Sequence, residues 1–224
     1  MADGLYANAQ IITHGDTYLL TQKRIREMAA ATDRTTILRV LGECGYQTDC
    51  ADDTALLNRE RQRTLDTFCA LCDDPALVTC VQALHHLTEA NARDTFRTLA
   101  EQTPHIKTAS IRDYFTTFAD LTNVRTFYKG GQQWVPGGTI EPGPALDIFP
   151  GQTPEQVETA SAARLTQLAA VDRDNIFRPN PLFWWYQQKQ KELQVVKIIL
   201  TCHRLHYDHT ILRASLRGLY EQFK

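Results

Sequence analysis

This chain repeatedly places a helix-capping side chain directly before a proline, as at Asp74-Pro75, Thr153-Pro154 and Asn180-Pro181. Proline suits the first turn of a helix, where its missing N–H would be unpaired anyway, and the Asp, Thr or Asn before it accepts a bond from an orphan amide. Each pair therefore predicts a helix start. Gln156 supplies the reciprocal half of a capping box with Thr153. Further starts fall at Thr21, Asp33, Asp53 and Asp208, and no stretch carries the alternation of a half-buried strand. The expected fold class is all-α, with no significant sheet.

The helices expected from these signals cover residues 5–20, a short segment after Thr21, a segment from Asp33 to Gly45, and a longer one from Asp53 with Leu57, Leu65, Phe68 and Cys72 roughly on one face. Another starts at Pro75 and is expected to run to Gln102. The next spans about Ala109 to Lys129 and stops at Gly130-Gly131, the usual left-handed end of a helix. Residues 132–152 include "VPGGTIEPGP", which proline and glycine keep from regular helix. The expected organisation is thus an N-terminal helical region, 1–131, a Pro/Gly-rich connector, 132–152, and C-terminal helices, 153–224, that pack back on the first region. The latter include the apolar "LFWWYQQKQKELQVVKIILTCHRL" and a final helix carrying Ile211, Leu212, Leu216, Leu219 and Phe223.

With 24 basic and 26 acidic residues in 224, intermingled, the chain has no electrostatic footprint for nucleic acid. No block of like charge suits an anionic lipid surface. The start, "MADGLYANAQ", lacks the charged beginning and apolar run of a secretion signal, so a cytoplasmic location is expected, with any membrane association peripheral and through another protein. Cysteines 44, 50, 69, 72, 80 and 202 then read as reduced thiols.

The polar residues of "FADLTNVRTFYKGG" are out of place for a solvated helix face. Asn123 sits between Ala119 and Phe127 at helical spacing, on a largely apolar stripe with Asp120 and Arg125 close by. Asp120 reads either as an exposed carboxylate or as a buried group with a partner. A weak internal repeat sets "TEANARDTFR" against "DLTNVRTFYK" at an offset of 32, matching Asn91 to Asn123, Arg93 to Arg125 and Arg97 to Lys129, with both copies expected on long helices.

Other motifs have bland and sharp readings. Cys202, His206 and His209 would share one side of a continuous helix and are plausible zinc ligands, but Asp208 reads as a cap that ends the helix first, and no second ligand pair follows. Cys69 and Cys72 form a CxxC, with Cys80 one helix on, at a helix C-terminus where no dipole stabilises a thiolate; packing is the alternative. His85-His86 has no carboxylate nearby in sequence. "VPGGTIEPG" lacks the lysine and hydroxyl of a phosphate loop, and Ser110, Ser161 and Ser215 lie on no nucleophile elbow. Trp184, Trp185 and Tyr186 span too wide an arc for one narrow face, so their helix is either buried on most sides or meets a partner. No catalytic residue, cofactor or metal is expected.

With these motifs in view, the chain resembles, from end to end, the C subunit of the V/A-type ATPases, the central-stalk family whose eukaryotic member is lettered d. "YANAQIITHGDTYLLTQKRIREM" is similar to the family's opening helix with its Leu-Leu-Thr. "FADLTNVRTFYKGG" resembles its Asp-x-x-Asn-hydrophobic-basic pattern at Asp120, Asn123, Val124 and Arg125, and "WVPGGTI" the Pro-Gly-Gly segment that follows. The late helix "NPLFWWYQQKQKELQVVKIILTCHRL" resembles one in which an acidic residue, here Glu192, precedes a hydrophobic-basic-hydrophobic run, Val196 to Ile199. From the residues alone, Glu192 could equally make only a surface contact one turn away. Members usually have about 100 more residues, so this chain reads as a shortened one.

The resemblance implies helical bundle units repeated around a socket-like body, a non-catalytic central-stalk connector between the D and F components of the shaft and the membrane proteolipid ring. It would be cytoplasmic and peripheral to the membrane as part of a proton- or sodium-transporting complex. Asp120, Asn123, Arg125 and Glu192 would be structural polar positions, the first three satisfying one another, with Asn91 and Arg93 as repeat counterparts. Readings of other classes are a small zinc-binding helical enzyme using Cys202, His206 and His209, and a generic helical adaptor.

Overall fold

The structure, a computed structural model, describes residues 2–14, 19–131, 133–140, 153–208, 210–212 and 216. Among them the chain is helical without strands: α1 (Ala2–His14), α2 (Gln22–Ala29), α3 (Arg34–Glu43), α4 (Asp53–Leu71), α5 (Pro75–His85), α6 (Ala92–Gln102), a 3-10 turn (Thr103–His105), α7 (Ala109–Tyr128), α8 (Pro154–Ala169) and α9 (Asn180–Arg204). No described helix is long and apolar enough to cross a membrane.

Most of the capping signals are realised by the expected atoms, but Asn180 leaves its Oδ1 without a partner among the described residues and donates Nδ2 to Ser110 and Val171, and α4 is capped by Asp52, which accepts from the amide of Ala55. Thr21 accepts from the amide of Arg24, Asp33 from Thr36 and Asp74 from Leu77, while Thr153 and Gln156 close a capping box. Gly45 and Gly130, at φ +83° and +74°, lie just past the ends of α3 and α7. After α9, the amides of Ile211 and Leu212 both reach the carbonyl of Asp208, so a further helical turn opens there.

Two boundaries differ from expectation. Leu19 and Leu20, expected in the first helix, are not helical. The helix expected from Pro75 to Gln102 breaks between His85 and Ala92, although the intervening residues include neither proline nor glycine. The break comes from side chains that offer the backbone other partners: the amide of Thr88 donates to Asn91 Oδ1 at 2.7 Å, the amide of Asn91 to Thr88 Oγ1 at 3.3 Å, and Asn91 Nδ2 to the carbonyl of His86 at 2.8 Å. Asn91 therefore sits in a turn, not on a long helix beside its supposed counterpart.

The chain forms two compact units, residues 1–9 with 68–184 and residues 10–67 with 185–224, which are not drawn at the 131 and 153 boundaries read from the sequence. In the first, α7 is the central helix, with Ile111, Tyr114, Phe115, Ala119, Leu121 and Val124 all buried and with packing against α6 and α8. Phe183 stands edge-on to Tyr114, with ring centroids 5.0 Å apart, and Phe96 stacks on Phe118. In the second, Ile25, Met28, Ile37, Val40, Leu41 and Leu56 pack with Val195, Val196, Ile199 and Leu200 of α9, while Lys197 points to solvent. Trp185 and Tyr186 are buried and Trp184 is half-buried, so this part of α9 is enclosed on most sides.

Asp74 is 1% exposed and does two things: Oδ1 caps α5 through Leu77, and Oδ2 accepts from the amide of Lys107 at 2.8 Å. Asp74→Ala strands two buried donors, and a loss of about 3 kcal/mol in urea unfolding is expected. Asp74→Asn, which keeps the cap but can present an N–H to Lys107, is expected to fall between the two.

Candidate functional site

The buried polar residues of α7 face a segment that has no regular structure of its own. Residues 134–140 run beside α7, and their backbone groups must find partners elsewhere. Asn123, 3% exposed, supplies both halves of one exchange: its Nδ2 donates to the carbonyl of Val135 at 3.0 Å and its Oδ1 accepts from the Val135 amide at 2.8 Å. A carboxamide carries a donor and an acceptor side by side and so can match a backbone N–H and C=O together. One turn earlier, Asp120 accepts from two successive amides, Thr139 at 2.7 Å and Ile140 at 2.9 Å, and from the Thr139 hydroxyl at 2.9 Å. The i,i+3 spacing puts both groups on one side of the helix.

The glycines of the segment allow this approach. A Cβ on Gly138 would lie 2.0 Å from Asp120 Oδ1, inside any permitted contact, and Gly137 has φ +98° with its position 3.3 Å from Ala100 of α6. The segment is thus held against α6 and α7 together.

Arg125 serves a different contact. Its Nε lies 2.8 Å from Glu158 Oε2 on α8, close enough for an ion pair although without hydrogen-bond alignment, and Lys129 Nζ reaches the other oxygen of Glu158 at 3.2 Å. The expectation that Asp120, Asn123 and Arg125 satisfy one another is therefore corrected: each has a partner on another segment. Asp120, at 9% exposure, is not a solvated carboxylate.

Glu192 is fully buried in the second unit. Its Oε2 accepts from the amide of Leu20, just before α2, and its Oε1 accepts from the hydroxyl of Tyr46 and pairs with Lys189 one turn back on α9. Lys189 also lies 5.2 Å above the Tyr46 ring. Beside this cluster Glu60 accepts from the amide of Gln47 at 3.0 Å. The surface alternative for Glu192 is excluded by its burial. Tyr46 and Glu60 escaped the sequence reading because their partners are remote in the chain, whereas Lys189 is only one turn from Glu192.

Burial, and next the Glu192 carboxylate, hold the Tyr46 phenol well above its ordinary value. Burial pushes the thiols of Cys72 and Cys80 up to about 12. Both therefore stay protonated at neutral pH, the opposite of what a metal or redox thiol requires. Cys202 is buried and His206, at φ +52°, lies in the turn after α9; His209 lies outside the described residues. Among the described residues no three His, Cys, Asp or Glu side chains gather in a way that could hold a metal ion.

Comparison of the chain with protein-family models, with curated proteins and with solved structures finds no match.

Gly138→Ala is expected to drive residues 134–140 off α7, seen as faster amide exchange at Val135, Thr139 and Ile140 and a stability loss of about 2 kcal/mol, as for a buried hydrogen-bond set left unpaired. Unchanged exchange would refute the close approach. Tyr46 has a folded-state pKa above its unfolded one, so the stability it contributes is complete below the ordinary phenol value of about 10 and is lost as pH rises through the folded-state value. In a spectrophotometric alkaline titration, Tyr46→Phe is expected to remove a phenol that ionises above the ordinary range.

Proposed function

We propose that this chain is a non-catalytic central-stalk connector of a V/A-type rotary ATPase, a shortened C-type stalk component, that couples the D/F shaft to the membrane proteolipid ring during cation transport or ATP synthesis. In this reading it is cytoplasmic, peripheral to the membrane through the complex, and its helical units form a socket-like body. Nucleotide chemistry belongs to other subunits, and no cofactor is required of this chain.

The observation that carries the reading is how the four family-like segments meet. Asp120 and Asn123 of the Asp-x-x-Asn pattern bind Val135, Thr139 and Ile140 of "WVPGGTI". Glu192 of the late helix binds Leu20 of the Leu-Leu-Thr segment. Motifs picked out by chance resemblance would have no reason to be each other's hydrogen-bond partners. A torque-bearing connector needs helices that keep their register under load, and directional bonds from buried side chains to backbone supply this where apolar contacts alone would slide.

The test is to tag the chain, solubilise membranes gently and identify what co-purifies by mass spectrometry. Shaft subunits and proteolipid are expected with the unaltered chain, and Asn123→Leu is expected to lose proteolipid before shaft subunits or to lower the melting temperature. Recovery of the chain alone from the soluble fraction overturns the reading, and stoichiometric zinc in that fraction would turn attention to Cys202, His206 and His209.

A further inference from the structure

α6 and the 134–140 segment enclose a cleft of about 520 Å³ whose lining includes Arg93, Arg97, Trp134, Val135 and Ile140. Its two cations are exposed residues one turn apart on α6. Arg97 pairs at 3.1 Å with Asp94 on its own helix, and Arg93 has no ion-pair or hydrogen-bond partner among the described residues. Trp134, Val135 and Ile140 are half-buried and present apolar surface beside the arginines.

The same spacing of cations is occupied elsewhere in this unit. Arg125 and Lys129, also four residues apart, take the two oxygens of one glutamate, Glu158. Arg93 and Arg97 repeat that arrangement with no carboxylate supplied by a neighbouring helix among the described residues. Guanidinium groups bind carboxylates through paired charge-assisted bonds, and an adjacent apolar surface takes a side chain next to the acid.

We infer that this cleft is a docking site for an acidic peptide segment of a partner protein, a carboxylate seated between Arg93 and Arg97 and a neighbouring apolar side chain against Trp134, Val135 and Ile140. Charge complementarity selects the acid, and the apolar lining favours a peptide over a bare inorganic anion, which would leave that surface wet. The platform is held because Asn123, itself part of the lining, and Asp120 bind the segment's backbone. This inference stands independently of the stalk reading.

The experiment measures fluorescence anisotropy of a labelled peptide, Gly-Asp-Leu-Glu-Phe-Gly, and of its counterpart with Asn and Gln as the polar residues, on the full chain at low salt. The acidic peptide is expected to bind at least about tenfold more tightly, in line with charge-assisted bonds, and to weaken as salt rises. The double variant Arg93→Ala, Arg97→Ala is expected to reduce it to the level of the neutral peptide. Both side chains are exposed, so circular dichroism and melting should be unchanged, and Arg93→Lys with Arg97→Lys should restore part of the binding. Equal affinity for the two peptides, no binding of either, or binding indifferent to the double variant overturns the proposal. So does displacement by inorganic phosphate at the peptide's own concentration, which would assign the arginines to a phosphate group.

Discussion

A buried backbone amide or carbonyl that no helix satisfies must be paired by something else, and in this chain that obligation falls on side chains. The result is a recurring device. Asn8 donates to the carbonyls of Ile176 and Arg178, Glu60 accepts from Gln47, Asp74 from Lys107, Asp120 from Thr139 and Ile140, Asn123 exchanges with Val135, Asn180 donates to Val171, and Glu192 accepts from Leu20. All seven are less than a tenth exposed, and all seven bind backbone outside the helix they belong to or cap. An isolated charge placed in such an interior would cost several kcal/mol, so these acids are tolerable only because their lone pairs are used.

The chemistry of each anchor follows from what it holds. Consecutive amides all point donors inward, so Asp120, with acceptors only, can take two together with the Thr139 hydroxyl. Val135 offers both a donor and an acceptor, and there the side chain is an asparagine. An aspartate at position 123 would leave a carboxylate oxygen facing the Val135 carbonyl, whereas an asparagine at position 120 could keep both amides on its oxygen and turn its N–H to the Thr139 hydroxyl. The asparagine of Asp-x-x-Asn is thus set by the backbone it meets, and the Gly138 position by how closely that backbone must come.

What was legible in the sequence was local. Thr21, Asp33, Asp74, Thr153 and Gln156 act within four residues of themselves, so their patterns announce helices whatever the rest of the chain does. The burial of Asn123 was legible as an anomaly of spacing, but its partner was not, because Val135 lies beyond the end of the helix and no periodicity links the two. The break before α6 was missed for a related reason: apolar spacing continues through it, and only the reciprocal bonds of Thr88 and Asn91 stop the helix. The matched Asn91 and Asn123 show how one residue type misleads: the first closes a turn with its own neighbours, the second reaches twelve residues away.

The same contrast divides the two basic pairs. Arg125 and Lys129 are spent on Glu158, which fixes α8 to α7 and leaves little charge for a ligand. Among the described residues Arg93 and Arg97 have the spacing without the glutamate, and their helix starts at the turn that Asn91 closes, so a local change of helix boundary accompanies a change in what the cations can meet. An interior in which acids are consumed by backbone leaves recognition to its exposed cations, and the surface beside the 134–140 segment is where such cations and apolar side chains come together. A protein whose interior only holds its shape would be expected to keep its specificity in such a place.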